Sequence, residues 1–236
     1  MFERAHHQRI EQVLGLMDSE LFGACNCWFG GGTAIVLRYG EYRESRDIDF
    51  LVSDPEGYRQ MRRRLADPDG IRAFFLVPGA AIMQHRGLRA DRYGIRARFD
   101  VAGVEIKFEV VVEGHIELDT PSADDRICGV RTLTPLDMAA TKLMANADRW
   151  ADDGTFNRDL LDLAMIDLGP EQLRAAAAKA QSAYGDDIQR NLGRAIERLR
   201  EREGWMQRCL DQLQFRLPKA LVWERIRTLQ RRLMAG

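Results

Sequence analysis

The chain has 236 residues, 45% hydrophobic and 30% charged, enough for one large or two modest domains whose core needs neither disulfides nor a structural metal. No apolar run approaches the roughly 20 residues that cross a bilayer, which argues against a membrane-spanning role, and the formal net charge of −1 does not by itself point to a polyanionic partner. The charge is uneven, however: residues 171–236 carry 14 Lys+Arg against 8 Asp+Glu, and residues 1–170 carry 21 against 28, so a basic tail follows an acidic front. That asymmetry is compatible with RNA contact by the tail and equally with a solvated helical face.

In chain order, residues 1–17 place Phe2, Ile10, Val13, Leu14 and Met17 at near-helical spacing and intersperse charges. They predict an amphipathic helix in place of a secretory leader, and with it a cytoplasmic protein. Residues 24–29 form a short apolar segment that runs into Gly30, Gly31 and Gly32, which is strand punctuation. Thr33 then stands where it can cap a helix over residues 34–39. Asp47-Ile48-Asp49-Phe50-Leu51-Val52 predicts a strand with one end at solvent and both aspartates on one face. Residues 55–65 predict a helix, and residues 71–77 another strand.

Residues 94–112 predict two strands joined at Ala102-Gly103, the second with Glu105, Lys107 and Glu109 on one face and Val104, Ile106, Phe108 and Val110 on the other. An open sheet face would explain three charges in a row; so would a face lining the cleft of Asp47 and Asp49. Residues 113–134 predict a connection, and from Pro135 helices divided by glycines and prolines run almost to the end. The four cysteines (Cys25, Cys27, Cys128 and Cys209) lack the spacing of a zinc site and are expected as reduced thiols. The tryptophans are expected in packing, and no histidine pairs with a nucleophile.

Two carboxylates one residue apart on a strand repel unless a positive charge lies between them, and Mg²⁺, which takes a few carboxylate oxygens along with substrate phosphates, supplies it. A glycine turn opening a helix offers unblocked N–H groups and a favourable dipole to phosphate oxygens. Neither the P-loop pattern nor G-x-G-x-x-G is present. Among only four lysines against 31 arginines, Lys107 and Lys142 stand beside the other candidate residues.

Gly31-Gly32-Thr33-Ala34 followed by Arg43-x-Ser45-x-Asp47-x-Asp49 resembles the first motif of the nucleotidyltransferases of the AbiEii/AbiGii toxin family, in the polymerase-β-like superfamily. Glu109 is similar to that superfamily's third metal-ligand position, with Glu105 as the competing candidate. TPLDMAATKLMANADRW and NRDLLDLAMI resemble the family's lysine helix and Arg-Asp-x-x-Asp segment, through Lys142, Arg149, Arg158, Asp159 and Asp162. The likeness covers residues 29–52 and 104–166.

It implies an α+β fold: a nucleotidyltransferase-like mixed sheet with flanking helices over residues 1–130, then a helical C-terminal domain over 131–236 completing the active-site cleft. It further implies a Mg²⁺-dependent enzyme moving a nucleoside monophosphate from an NTP to an acceptor hydroxyl. Asp47, Asp49 and Glu109 would hold two Mg²⁺ ions. Gly31, Gly32, Thr33, Arg43, Ser45, Lys107 and Lys142 would meet the nucleotide, and Lys142 and Asp159 would join the catalytic set. The family points to the toxin of a type IV toxin–antitoxin or abortive-infection system, with tRNA as acceptor and an antitoxin protein as partner. A small-molecule (aminoglycoside-like) nucleotidyltransferase and an inactive NTP-binding module are the rival readings.

Overall fold

The computed structural model describes residues 2–76 and 84–234. The chain divides into two compact units: residues 1–38 with 45–134, and residues 39–44 with 135–236.

In the first unit, α1 (Ala5–Leu16) and α2 (Ser19–Ala24) precede β1 (Cys27–Gly30). Then follow α3 (Gly31–Arg38), β2 (Ile48–Val52), α4 (Pro55–Ala66), a 3₁₀ turn (Gly70–Phe74), β3 (Gln84–Ala90), β4 (Gly94–Val101) and β5 (Val104–Val112). The short strands β6 (Arg126–Ile127) and β7 (Val130–Arg131) form a separate ribbon. The main sheet has the order β1-β2-β5-β4-β3, with β2 and β5 parallel and the other neighbours antiparallel.

Strand alternation decides which face is dry. Ile106, Phe108 and Val110 of β5 are buried, as are Ile95, Ala97, Phe99 and Val101 of β4, and residues of the opposite parity carry the charges. The dry face is a run of aromatic contacts: Phe22 to Phe50 at 4.4 Å between ring centroids, Phe50 to Phe108 at 5.9 Å and Phe108 to Phe99 at 5.2 Å. Burial of these rings stabilises the unit. Helix α4 starts where its sequence says it should, with Pro55 in the first turn and the Asp54 carboxylate accepting from the Glu56 N–H at 2.9 Å.

Three local expectations are corrected. The strand expected over residues 71–77 is a 3₁₀ turn as far as Phe74, Val77 lying outside the described residues. Its buried positions, Ile71 and Phe74, are three apart, which is helical and not strand spacing. The apolar segment 24–29 is strand only from Cys27, because Asp18 caps α2 through Ala24. Thr33 does not cap a helix at residue 34: α3 already begins at Gly31.

The second unit is helical: α5 (Pro135–Arg149), a 3₁₀ turn (Asp153–Thr155), α6 (Arg158–Met165), α7 (Pro170–Tyr184), α8 (Asp187–Glu201), α9 (Trp205–Gln212) and α10 (Lys219–Met234). To it belongs Tyr39–Glu44, a segment from the front of the chain. This segment docks on the α9–α10 connection: the Glu44 N–H donates to the Leu213 carbonyl at 3.1 Å and the Arg216 N–H to the Tyr42 carbonyl at 2.8 Å. The Tyr42 and Phe215 rings lie 5.4 Å apart. Trp205 packs inside, its indole N–H donating to Asn157 Oδ1 at 2.7 Å. No helix of the described residues is long and apolar enough to cross a membrane.

Candidate active site

In the first unit the glycine turn and the aspartates meet by strand pairing. Gly30, the last residue of β1, is the register partner of Asp49 in β2. Gly31 follows with φ +65°, and a Cβ built there would lie 2.5 Å from Asp49 Oδ2. Only glycine both adopts this backbone without strain and lets it come this close to a carboxylate. The N–H groups of the first turn of α3, which have no partner within a helix, therefore open beside Asp49.

Thr33 is 1% exposed. Its hydroxyl donates to the Asp47 carbonyl at 2.5 Å and lies 2.8 Å from the Ser45 hydroxyl, which supplies the second hydrogen. The Ser45 N–H in turn donates to His7 Nε2 at 3.1 Å, so fully buried His7 accepts at Nε2 and carries its proton at Nδ1. Thr33, Ser45 and His7 together hold the main chain that delivers Asp47 and Asp49. His7 was missed in the sequence because nothing local links it to residue 45.

Across the sheet, Asp49 pairs in register with Glu109, and Glu109 with Arg96. Glu105 is the partner of Asp100 and is bound by Arg98 at 2.9 Å. Strand register thus makes Glu109, and not Glu105, the neighbour of Asp49. The Glu109 carboxylate is 16% exposed and takes two cations, Arg96 Nε on Oε1 at 3.1 Å and Lys107 Nζ on Oε2 at 2.5 Å. Arg96, which also reaches Asp91 at 3.3 Å, carried no motif signal.

The donor set of Asp47, Asp49 and Glu109 is all carboxylate oxygen, which suits a hard divalent cation, and the side-chain-free Gly31 leaves Asp49 Oδ2 approachable. By donor chemistry these residues fit Mg²⁺. Among the described residues no three His, Cys, Asp or Glu side chains already converge as a metal cluster.

The second unit gathers the other expected residues around two aspartates of α6. Asp162, fully buried, accepts from Tyr42 Oη at 2.8 Å, from Arg43 Nε at 2.6 Å and Nη2 at 2.8 Å, and pairs with Lys142 Nζ at 2.7 Å. Asp159 accepts from Lys142 Nζ at 2.9 Å and from Arg149 at 2.6 and 2.9 Å. Burial alone would raise both carboxyl pKa values. For Asp162 the charges of Arg43 and Lys142, and for Asp159 those of Lys142 and Arg149, more than reverse it, so both lie below the ordinary carboxylate range. Arg43 is 4% exposed and its planar fork is committed to Asp162. Arg158 opens α6 one residue before Asp159.

The basic tail is less free than its composition suggests. Arg190 pairs with Asp187, Arg198 and Arg202 with Asp153, Arg227 and Arg231 with Glu224, and Arg232 with Asp167. Arg202 also stacks on Trp205, 4.1 Å from the ring centroid.

A sequence model described as the nucleotidyl transferase AbiEii toxin of type IV TA systems matches residues 15–231. No curated protein matches the chain. Two solved structures are similar: a proposed nucleotidyltransferase from H. pylori, 15% identical, covering 95% of this chain and 96% of its own, at a TM-score of 0.45; and JHP933 from Helicobacter pylori, 16% identical, covering 100% and 99%, at 0.42.

Proposed function

We propose that this chain, which belongs to the AbiEii family of nucleotidyltransferase toxins of type IV toxin–antitoxin systems, transfers a nucleoside monophosphate from an NTP to an acceptor hydroxyl at the Asp47, Asp49 and Glu109 carboxylates. The observation that carries this reading is the alignment of Gly30, Asp49 and Glu109 on adjacent strands of one sheet, with Gly31 opening α3 against Asp49. N–H groups suited to phosphate and oxygens suited to a cation would then serve one substrate.

In the reaction the acceptor oxygen forms a bond to the α-phosphorus, the bond from that phosphorus to the bridging oxygen of the β-phosphate breaks, and pyrophosphate leaves with the electron pair while the acceptor proton passes to solvent. The α3 N–H groups, from Gly31 and Gly32 to Thr33, would hold phosphate oxygens in place, and Asp47, Asp49 and Glu109 would hold Mg²⁺, two ions in this scheme. Bound Mg²⁺ supplies positive charge against the triphosphate and makes the acceptor hydroxyl easier to ionise. Thr33 and Ser45 act through the backbone they fix, not through their hydroxyls on phosphate. Lys107, 48% exposed on its side chain and paired with Glu109, would have to leave that carboxylate to meet a phosphate.

Arg43, Lys142 and Asp159 receive a different role. Their short contacts within a buried network favour framing the helical unit over contacting the nucleotide.

The acceptor is tRNA in this proposal, supported by the family's place among toxins and by the basic composition of residues 171–236. Transfer to total tRNA, measured with α-labelled NTP over a salt series, should fall by about 10³-fold or more between roughly 50 and 200 mM salt if many phosphates are engaged. A flat salt profile, or transfer to aminoglycosides in preference to tRNA, would overturn the RNA assignment. An antitoxin protein is the expected partner.

A further inference from the structure

Arg96 and Lys107 are two cations bound to one carboxylate, Arg96 on Oε1 of Glu109 and Lys107 on Oε2. Strand register places that carboxylate next to Asp49. Each Glu109 oxygen therefore already has a positive partner, and a divalent cation seeking Glu109 as a ligand competes with both. We infer that Arg96 and Lys107 form a clamp that sets the divalent-cation affinity of the carboxylate site by competing for Glu109. The inference rests on the proposed cation-binding role of Asp47, Asp49 and Glu109.

Elementary electrostatics fixes the sign. A cation held against a ligand carboxylate lowers the attraction of that carboxylate for a second cation and must be displaced, or left close to it, when the second arrives. The two clamping groups differ in how they can respond. Arg96 is tied twice, to Glu109 and to Asp91 at 3.3 Å, and it sits in register opposite Glu109 on β4. Its fork is the fixed jaw. Lys107 extends from the same strand as Glu109, two residues away on the same face, by a flexible four-carbon stem. It is the jaw that moves, and an ammonium released there stays on the polar sheet face beside Asp49, positioned to meet the anionic substrate. Arg96 and Lys107 are thus affinity-setting and positioning residues for the cation.

The test measures Mn²⁺ binding to the full chain by calorimetry and by the loss of the free-ion spin-resonance signal, without nucleotide. Arg96→Gln and Lys107→Gln should each bind Mn²⁺ more tightly, by about two- to fivefold, the range of a partly exposed ion pair. Arg96→Lys, which keeps a positive charge, should stay near wild type. Asp49→Asn should weaken binding. Because Arg96→Gln also releases Asp91, Lys107→Gln provides the independent reading in a strand that keeps its cross-strand partners. Unchanged or weaker Mn²⁺ binding in Lys107→Gln, with wild-type binding abolished by Asp49→Asn, overturns the clamp and leaves the carboxylate site standing. Wild-type binding insensitive to Asp47→Asn and Asp49→Asn overturns both.

Discussion

Gly31 is the residue where backbone geometry and chemistry constrain each other most tightly. Its φ of +65° lies in the left-handed region and its missing Cβ makes room for the Asp49 carboxylate. Gly31→Ala should cost about 1–2 kcal/mol for the backbone alone and, by pushing Asp49 aside, reduce Mn²⁺ binding and nucleotidyl transfer together. Thermal unfolding and Mn²⁺ titration of the same preparation check both. A stable Gly31→Ala variant with wild-type cation binding would show that the close approach is incidental. The glycines and D-x-D were legible because they are local. Which of Glu105 and Glu109 neighbours Asp49 was not, since strand alternation puts both on one face and only the register of β2 against β5 separates them. Arg96 was invisible for a related reason: an arginine on an open strand reads as a solvated face until its partner is known.

At the scale of elements, the clearest case is α6 with the segment Tyr39–Glu44. Sequence patterning found the helix starting at Pro135, the further helices divided by glycines and prolines after it, and the β4–β5 hairpin through Ala102-Gly103, because periodicity and turn residues are short-range signals. It could not assign residues 39–44 to the helical unit, because Arg43 and its partner Asp162 are 119 residues apart. Removing Asp162 leaves Arg43 buried without a counter-charge and Lys142 with Asp159 alone, so Asp162→Ala should destabilise the chain by about 3–5 kcal/mol, more than Asp162→Asn, as read by urea unfolding. The same cluster predicts a pH dependence. Asp159 and Asp162 have folded pKa values below the unfolded value of about 3.9, so their stabilisation is complete above that value and is lost as the pH falls through the folded values. Urea midpoints should hold from about pH 6 to about pH 4 and drop steeply below. Asp159→Asn should flatten that acid limb, and an unaltered limb would remove Asp159 from the account.

For the molecule as a whole, the order of an α+β front and a helical back was legible in the sequence. Charge was the less dependable whole-chain signal. The excess of arginine after residue 171 is partly consumed by ion pairs to Asp153, Asp167, Asp187 and Glu224, a result of folding that composition cannot express. Parallel incubations of tRNA and Mg²⁺ with NTPs labelled at the α- or the γ-phosphate test nucleotidyl transfer at Asp47, Asp49 and Glu109. The α label should enter the acceptor and the γ label appear in pyrophosphate, with both signals lost in Asp49→Asn. Transfer of the γ label to the acceptor, or α transfer undiminished in Asp49→Asn, would contradict it.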